Sequence, residues 1–225
     1  MTIWTDPFEP AGLVGYPGCA LGVAEAAPGR ELAGVLTPAE RERLARLKSD
    51  ARRDELERSL VLRRELIGAL LTYDPVTVQL AANENGAPLL IEPQGFAVSV
   101  SNKGLWTFVA ADPAPSMIGA DVEIVREIDW KAMLGMVCGD DERSAFLEAL
   151  AGEAALKNFF RMWTVKEAVL KATGEGFRAG PKSIQIPAAM YGGGAQGRLH
   201  AFGKSFDVWA HQAGELALSL ARRAS

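Results

Sequence analysis

Cysteine and histidine are scarce: Cys19, Cys138, His200 and His211 are the only four in 225 residues. No C-x-x-C pair occurs, so neither a zinc site nor a disulfide framework can be assembled from them. The two thiols read as free in a reducing compartment, with one isolated disulfide as the other possibility. A Ser-His-Asp triad has equally little to be built from. Long apolar runs are also missing, none approaching the ~18 residues of a membrane helix. The start, Met1-Thr2-Ile3-Trp4, has no basic segment followed by an apolar one, so no secretion signal is read there and a cytoplasmic protein is expected. Charge of one sign is not in excess. Lys and Arg total 24 against 28 Asp and Glu, a net charge of −4, which excludes a basic nucleic-acid-binding domain but leaves room for a local anion pocket.

What is present is an ordinary globular composition, 48% hydrophobic and 23% charged. The length suits one large domain or two lobes of roughly 100 residues each. Thr37-Pro38-Ala39-Glu40 is a helix start with a capping box and Pro at the first helical position, and this helix should run to about Leu47. A second helix is expected from about Asp50 to Leu71, where Leu56, Leu60, Val61, Leu66, Ile67 and Leu70 recur at helical spacing. Strands are expected at 77–80, at 96–101 and at 105–110, the last two as a hairpin. Asp112-Pro113-Ala114-Pro115-Ser116 breaks the pattern and marks a boundary between lobes 1–115 and 116–225. The second half reads as a strand at 117–125, helices at 140–150 and 154–173 with Gly174 as C-terminal cap, a short strand at 183–186, a loop at 191–194 and a closing hairpin, 206–211 with 215–221. The expected fold is α+β: two similar lobes in one chain with a ligand cleft between them.

Two segments stand out. In Ile118-Gly119-Ala120-Asp121-Val122-Glu123 the strand period puts Asp121 and Glu123 on one face, opposite Ile118, Ala120, Val122 and Ile124. Paired carboxylates repel unless a cation lies between them, and Mg²⁺ takes one or two carboxylates together with ligand phosphates. A half-buried strand with a wet acidic face has the same pattern. In Trp163-Thr164-Val165-Lys166-Glu167-Ala168-Val169-Leu170-Lys171, Glu167 and Lys171 share a helical face, while Met162, Val165, Val169 and Ala172 form an apolar stripe. Taken alone, Glu167 and Lys171 fit a surface ion pair of ~0.2–0.5 kcal/mol.

The combination is more specific. A G-x-D-x-E strand followed after about forty residues by W-T-x-K-E-A-x-x-K resembles the 4′-phosphopantetheinyl transferase superfamily, in particular its pseudo-dimeric, surfactin-synthetase-activating branch. Gly174-Glu175-Gly176-Phe177 fits the family's continuation, and Leu36-Thr37-Pro38, Arg58-Ser59-Leu60-Val61-Leu62 and Gly86-Ala87-Pro88 extend the likeness into the first half. The resemblance implies transfer of the phosphopantetheine arm of coenzyme A to a serine of an apo carrier protein of fatty-acid, polyketide or nonribosomal-peptide type, with release of adenosine 3′,5′-bisphosphate. It implies Mg²⁺ on Asp121, Glu123 and Glu167, with Asp121, Glu167 and Lys171 catalytic: Glu167 as base toward the serine, Lys171 at the leaving phosphate. It places donor contacts to the 3′-phosphate and nucleotide at Arg43 and Arg58; Lys103 is a further local candidate, and Lys166, on a neighbouring face of the helix, is a candidate for a phosphate. Each of Arg43, Arg58 and Lys103 also fits a solvated surface charge. A monomer is implied, since one chain supplies both lobes. Two positions depart from the pattern: Ala87 stands where relatives have Lys, and Val100 where they have a His that helps hold the coenzyme A phosphates. These departures keep open a non-catalytic relative that only binds coenzyme A or a carrier.

Overall fold

The computed structural model describes residues 3–4, 18–23, 36–84, 86–112, 117–149, 154–174 and 180–224. In chain order the elements are β1 (Ile3–Trp4), β2 (Cys19–Val23), α1 (Pro38–Ala45), α2 (Asp50–Leu71), β3 (Gln79–Ala82), β4 (Pro88–Glu92), β5 (Ala97–Lys103), β6 (Trp106–Asp112), β7 (Ile118–Ile124), α3 (Trp130–Val137), α4 (Asp140–Ala149), α5 (Ala155–Thr173), α6 (Ala188–Tyr191), β8 (Gln196–Ala201), β9 (Lys204–Ala213) and β10 (Leu216–Arg223). They form two four-stranded antiparallel sheets, ordered β1-β2-β6-β5 and β7-β10-β9-β8, and a separate β3-β4 hairpin.

Both expected N-terminal helices form for the expected reasons. Thr37 accepts from the Glu40 amide while Glu40 accepts from the Thr37 amide, closing the capping box. Ser49 caps α2, which ends at Thr72 in the left-handed region. The α2 stripe divides between two clusters. Leu60 and Val61 meet Leu36 and Leu44 of the α1 side, and Leu62, Leu66 and Ile67 pack with Val78 and Val109. Glu40 also ties the helices together by pairing with Arg63 and Arg64.

The second sheet is built around α5. Met162, Val165, Val169 and Ala172 enter the largest cluster together with Phe206, Val208, Ala217 and Ala221. The opposite face of the sheet packs Ile118, Ala120 and Val122 with Leu216, Leu218, Leu220 and Phe108 of the first sheet. Gly119 is required by this packing. A Cβ there would lie 1.8 Å from the Ala168 carbonyl oxygen and 2.6 Å from the Ala172 nitrogen, so only glycine lets α5 settle this close to β7.

Three expectations need correction. The strand expected at 77–80 is a 3₁₀ turn, Pro75–Thr77, capped by Asp74, and the strand begins at Gln79. The loop expected at 191–194 begins inside α6, which includes Tyr191. No strand forms at 183–186. Pro181–Ser183 is a 3₁₀ turn, and the Ile184 carbonyl and Ile186 amide are satisfied by buried Lys166 and Glu142 in place of a neighbouring strand. The boundary residues 113–116, and Glu175-Gly176-Phe177 after α5, lie outside the described residues. Cys138 is a buried free thiol, and among the described residues no helix is long and apolar enough to cross a membrane.

Candidate active site

The edge strands of the two sheets, β5 and β7, face each other without forming a ladder. Instead, side chains of β5 satisfy the free edge of β7. Ser99 Oγ accepts from the Ala120 amide at 2.9 Å, and Ser101 Oγ accepts from the Val122 amide at 3.3 Å. Serine at every second position of β5 follows the strand period, so both hydroxyls reach the same edge. Buried backbone amides need such partners.

Ser101 does more than close the seam. Its hydroxyl donates to Asp121 Oδ1 at 2.9 Å and accepts from Lys171 Nζ at 2.7 Å. Lys171 also donates to Asp121 Oδ1 at 2.7 Å and to the Ala120 carbonyl at 3.1 Å. Beside them Lys103, at the end of β5, pairs with Glu123 at 2.7 Å. The two carboxylates of β7 thus each hold an ammonium, one from α5 and one from the first sheet. Asp121 is 6% exposed, and its Oδ2 is buried with no hydrogen-bond partner.

Glu167 borders the same cavity of about 310 Å³, with Asp121, Glu123, Lys171, Lys103 and Trp163. The carboxyl is pushed up to about 7, first by its own burial, then by the negative charge of Asp121; Lys171 works against the shift and Glu123 adds to it. Three carboxylates therefore meet electrostatically at one cavity. Among the described residues, no three acidic, histidine or cysteine groups are already gathered as a metal cluster; ammonium groups neutralise Asp121 and Glu123 in this arrangement. A protonatable carboxyl near neutrality, a paired lysine and a polar pocket are the equipment for accepting a proton next to a bound anion.

Residues 117–221 match the model of the 4′-phosphopantetheinyl transferase superfamily. The likeness to this superfamily is carried by that segment, a little under half of the chain. Among individual relatives, 4′-phosphopantetheinyl transferase psf-1 of Bacillus pumilus is 28% identical over 60% of this chain and 55% of its own length. The transferase Sfp of Bacillus subtilis is 24% identical over 82% of this chain and 71% of its own. The L-aminoadipate-semialdehyde dehydrogenase-phosphopantetheinyl transferase of Schizosaccharomyces pombe is 27% identical over 66% and 68%. The matched region spans little more than half the length of the first of these relatives.

The superfamily segment contributes Asp121, Glu123, Glu167 and Lys171, and the fold brings all four to the cavity. The remaining expected residues distribute differently. Lys103 joins the cavity from outside the segment, through Glu123. Arg43 is exposed on α1 and Arg58 is paired with Asp54 on α2; neither lines the cavity. Lys166 does not face a phosphate site. It is 1% exposed, and its ammonium is enclosed by Glu142 and by the carbonyls of Val137 at 2.8 Å, Ile184 at 2.6 Å and Pro181 at 3.1 Å. Its place next to Glu167 in sequence turns it 100° away on the helix. Val100 lines the cavity and packs on the α2 stripe. Ser101 was not singled out by sequence; its signal was the Ser-x-Ser period on a strand that ends at a polar turn. A further groove of about 410 Å³ runs from the cavity toward α2. It shares Asn102, which accepts from Ser59 and Thr107 at 2.8 Å each, and is bordered by Arg52.

Proposed function

We propose that the chain transfers the 4′-phosphopantetheine arm of coenzyme A to a serine hydroxyl of an apo carrier protein, releasing adenosine 3′,5′-bisphosphate. The observation that carries this reading is the meeting of Asp121, Glu123, Glu167 and Lys171 at one cavity within the superfamily segment. The serine Oγ forms a bond to the phosphorus that bears the pantetheine arm, and the bond from that phosphorus to the bridging oxygen of the nucleotide breaks. Glu167 takes the hydroxyl proton. Its carboxyl, held near 7 by burial and by Asp121, has the affinity a general base needs at neutral pH. Lys171 donates to the leaving phosphate oxygen, where negative charge grows as the bond breaks. Ser101 holds Lys171 and Asp121 in register for this. No nucleophile is required of this chain, because the serine belongs to the partner.

Asp121, Glu123 and Glu167 would hold Mg²⁺. The unpartnered Oδ2 of Asp121, and a Glu167 carboxyl raised first by burial and then by repulsion from Asp121, fit a set of oxygen ligands for a hard cation. Such an ion supplies charge neutralisation and polarisation of the pyrophosphate. Lys103 lies close enough to the carboxylates to serve donor phosphates, and the groove along α2 gives the nucleotide end a direction, toward the helices that carry Arg43 and Arg58. We read residues 1–115 and 116–225 as two similar lobes, each a long helix on a four-stranded antiparallel sheet, with the cavity in the cleft between them. A chain that contains both lobes acts as a monomer, without a membrane or nucleic acid, in the cytoplasm.

The test is mass spectrometry of an apo carrier protein incubated with this protein, coenzyme A and Mg²⁺. The carrier gains the mass of one phosphopantetheine arm; chelation by EDTA stops the gain and excess Mg²⁺ restores it. Coenzyme A binding by calorimetry with no mass gain on fatty-acid, polyketide and nonribosomal-peptide carriers would replace the transferase by a binding protein.

A further inference from the structure

Lysine is seldom fully buried unless it is paired, and Lys166 is closed off on every side. Its ammonium meets four acceptors from three separate segments: the end of α3 (Val137), the first turn of α4 (Glu142) and the turn after α5 (Pro181 and Ile184). Glu142, 4% exposed, is saturated in turn. One oxygen holds Lys166 and the other accepts from the Ile186 amide at 3.0 Å. The Tyr191 hydroxyl beside it is pushed up to about 12, by its own burial first and then by the Glu142 charge. No part of this cage borders the cavity of Glu167.

The helical period gives the cage a consequence. Ala168 and Ala172 press against Gly119 on the β7 side of α5. Lys166 is two residues from Ala168, about 200° around the helix, so it grips the far side. Glu167 lies between these two grips, about 100° from each. Resting on the transferase reading above, we propose that Lys166 is a positioning residue: with Glu142 and the three carbonyls it fixes the rotation of α5, so that Glu167 is presented to the cavity while Lys166 itself never meets the donor.

The experiment compares wild type with Glu142→Gln, Lys166→Arg and Lys166→Met in the carrier-transfer assay, at a temperature where circular dichroism shows each variant folded. Hydrogen exchange of segments 163–170 and 181–186 is measured in parallel. Positioning predicts that kcat falls about tenfold in Lys166→Met and about threefold in Glu142→Gln. It predicts KM for coenzyme A within twofold of wild type, and loss of exchange protection in both segments together. Lys166→Arg, which keeps the charge but replaces a point donor by a planar fork, lies between wild type and Lys166→Met. A rise in KM for coenzyme A with unchanged protection would make Lys166 a donor contact. A lower thermal midpoint with unchanged kcat in the folded variants would make it only a structural staple. Either result overturns the proposal. A wild-type protein that transfers nothing to any carrier overturns the transferase reading instead. In that case the exchange data alone decide whether Lys166 couples the two segments.

Discussion

The two long helices occupy comparable places, each against a four-stranded antiparallel sheet, yet they spend their buried charge differently. On α2 the buried cation Arg64 turns toward Glu40 of α1 and the carbonyls of Val78 and Leu60, so its charge is consumed in joining α1, α2 and the residue that precedes β3. On α5 the buried cation Lys166 is consumed in the same way, but its neighbour Glu167 is left facing a cavity with a carboxyl raised to about 7. The edge strands differ in parallel. β5 presents hydroxyls and an ammonium (Ser99, Ser101, Lys103), and β7 presents carboxylates (Asp121, Glu123). The site exists because the hydroxyls and ammonium of one sheet meet the carboxylates and edge amides of the other. Neither sheet holds a complete set.

The comparison breaks most sharply if the carboxylates are removed. Asp121→Ala and Glu167→Ala are each expected to lower transfer by about 10³-fold, the upper range seen when one preorganised electrostatic group is lost from a reaction centre. Circular dichroism should show both variants folded. Full activity in either would remove that residue from the mechanism. Next in size is Gly119→Ala. A methyl group 1.8 Å from a carbonyl oxygen cannot be absorbed by a side chain turning aside, so destabilisation at or beyond ~3 kcal/mol is expected in urea unfolding, the upper end for overpacking. A change below about 1 kcal/mol would mean that α5 does not rest on β7 so closely.

The third prediction concerns pH. The folded Glu167 carboxyl titrates at about 7, above its ordinary value of 4.5. Between those values the folded protein keeps a proton that the unfolded chain has released, so Glu167 lowers stability as pH rises through that window. Glu167→Gln should therefore match wild type below pH 4.5, gain on it through the window, and level off above pH 7 at an advantage on the order of 3 kcal/mol. Metal-free unfolding curves at several pH values measure this; an unchanging difference would contradict the burial assigned to Glu167. The smallest effect separates two serines. Ser99→Ala and Ser101→Ala each strip a partner from a β7 amide and should cost about 1–3 kcal/mol of stability. Only Ser101, which touches Asp121 and Lys171, should lower kcat, by about tenfold, or near 1.4 kcal/mol of barrier. Equal kcat in the two variants would reduce Ser101 to a seam residue.

Where local chemistry decides structure, the sequence could be read directly. The capping box at Thr37, the α2 stripe, the Gly174 cap and the alternation of β7 and β10 each follow from neighbours within a few residues. Packing across the chain was less legible. The steric need at Gly119 depends on a helix about fifty residues away. The 183–186 segment has the alternation of a strand, but its polar backbone groups are taken by Lys166 and Glu142, which no local pattern announces. The same blind spot hid the burial of Lys166: its separate helical face was legible, but its partners at Val137, Glu142, Pro181 and Ile184 come from distant segments. Helix α3 and strands β4 and β8 were not anticipated; all three are short, and the Asp129 cap that starts α3 was not singled out. The Asp121, Glu123, Glu167 and Lys171 set was legible only through the pairing of two motifs, since each motif alone fits an ordinary surface.

Intact-mass measurement of an apo carrier protein after incubation with coenzyme A, Mg²⁺ and either wild type or Glu167→Ala tests whether the cavity carries out the transfer. A gain of one phosphopantetheine arm is expected with wild type and none with the variant over the same time. No gain with wild type on any carrier, or an equal gain with Glu167→Ala, would contradict it.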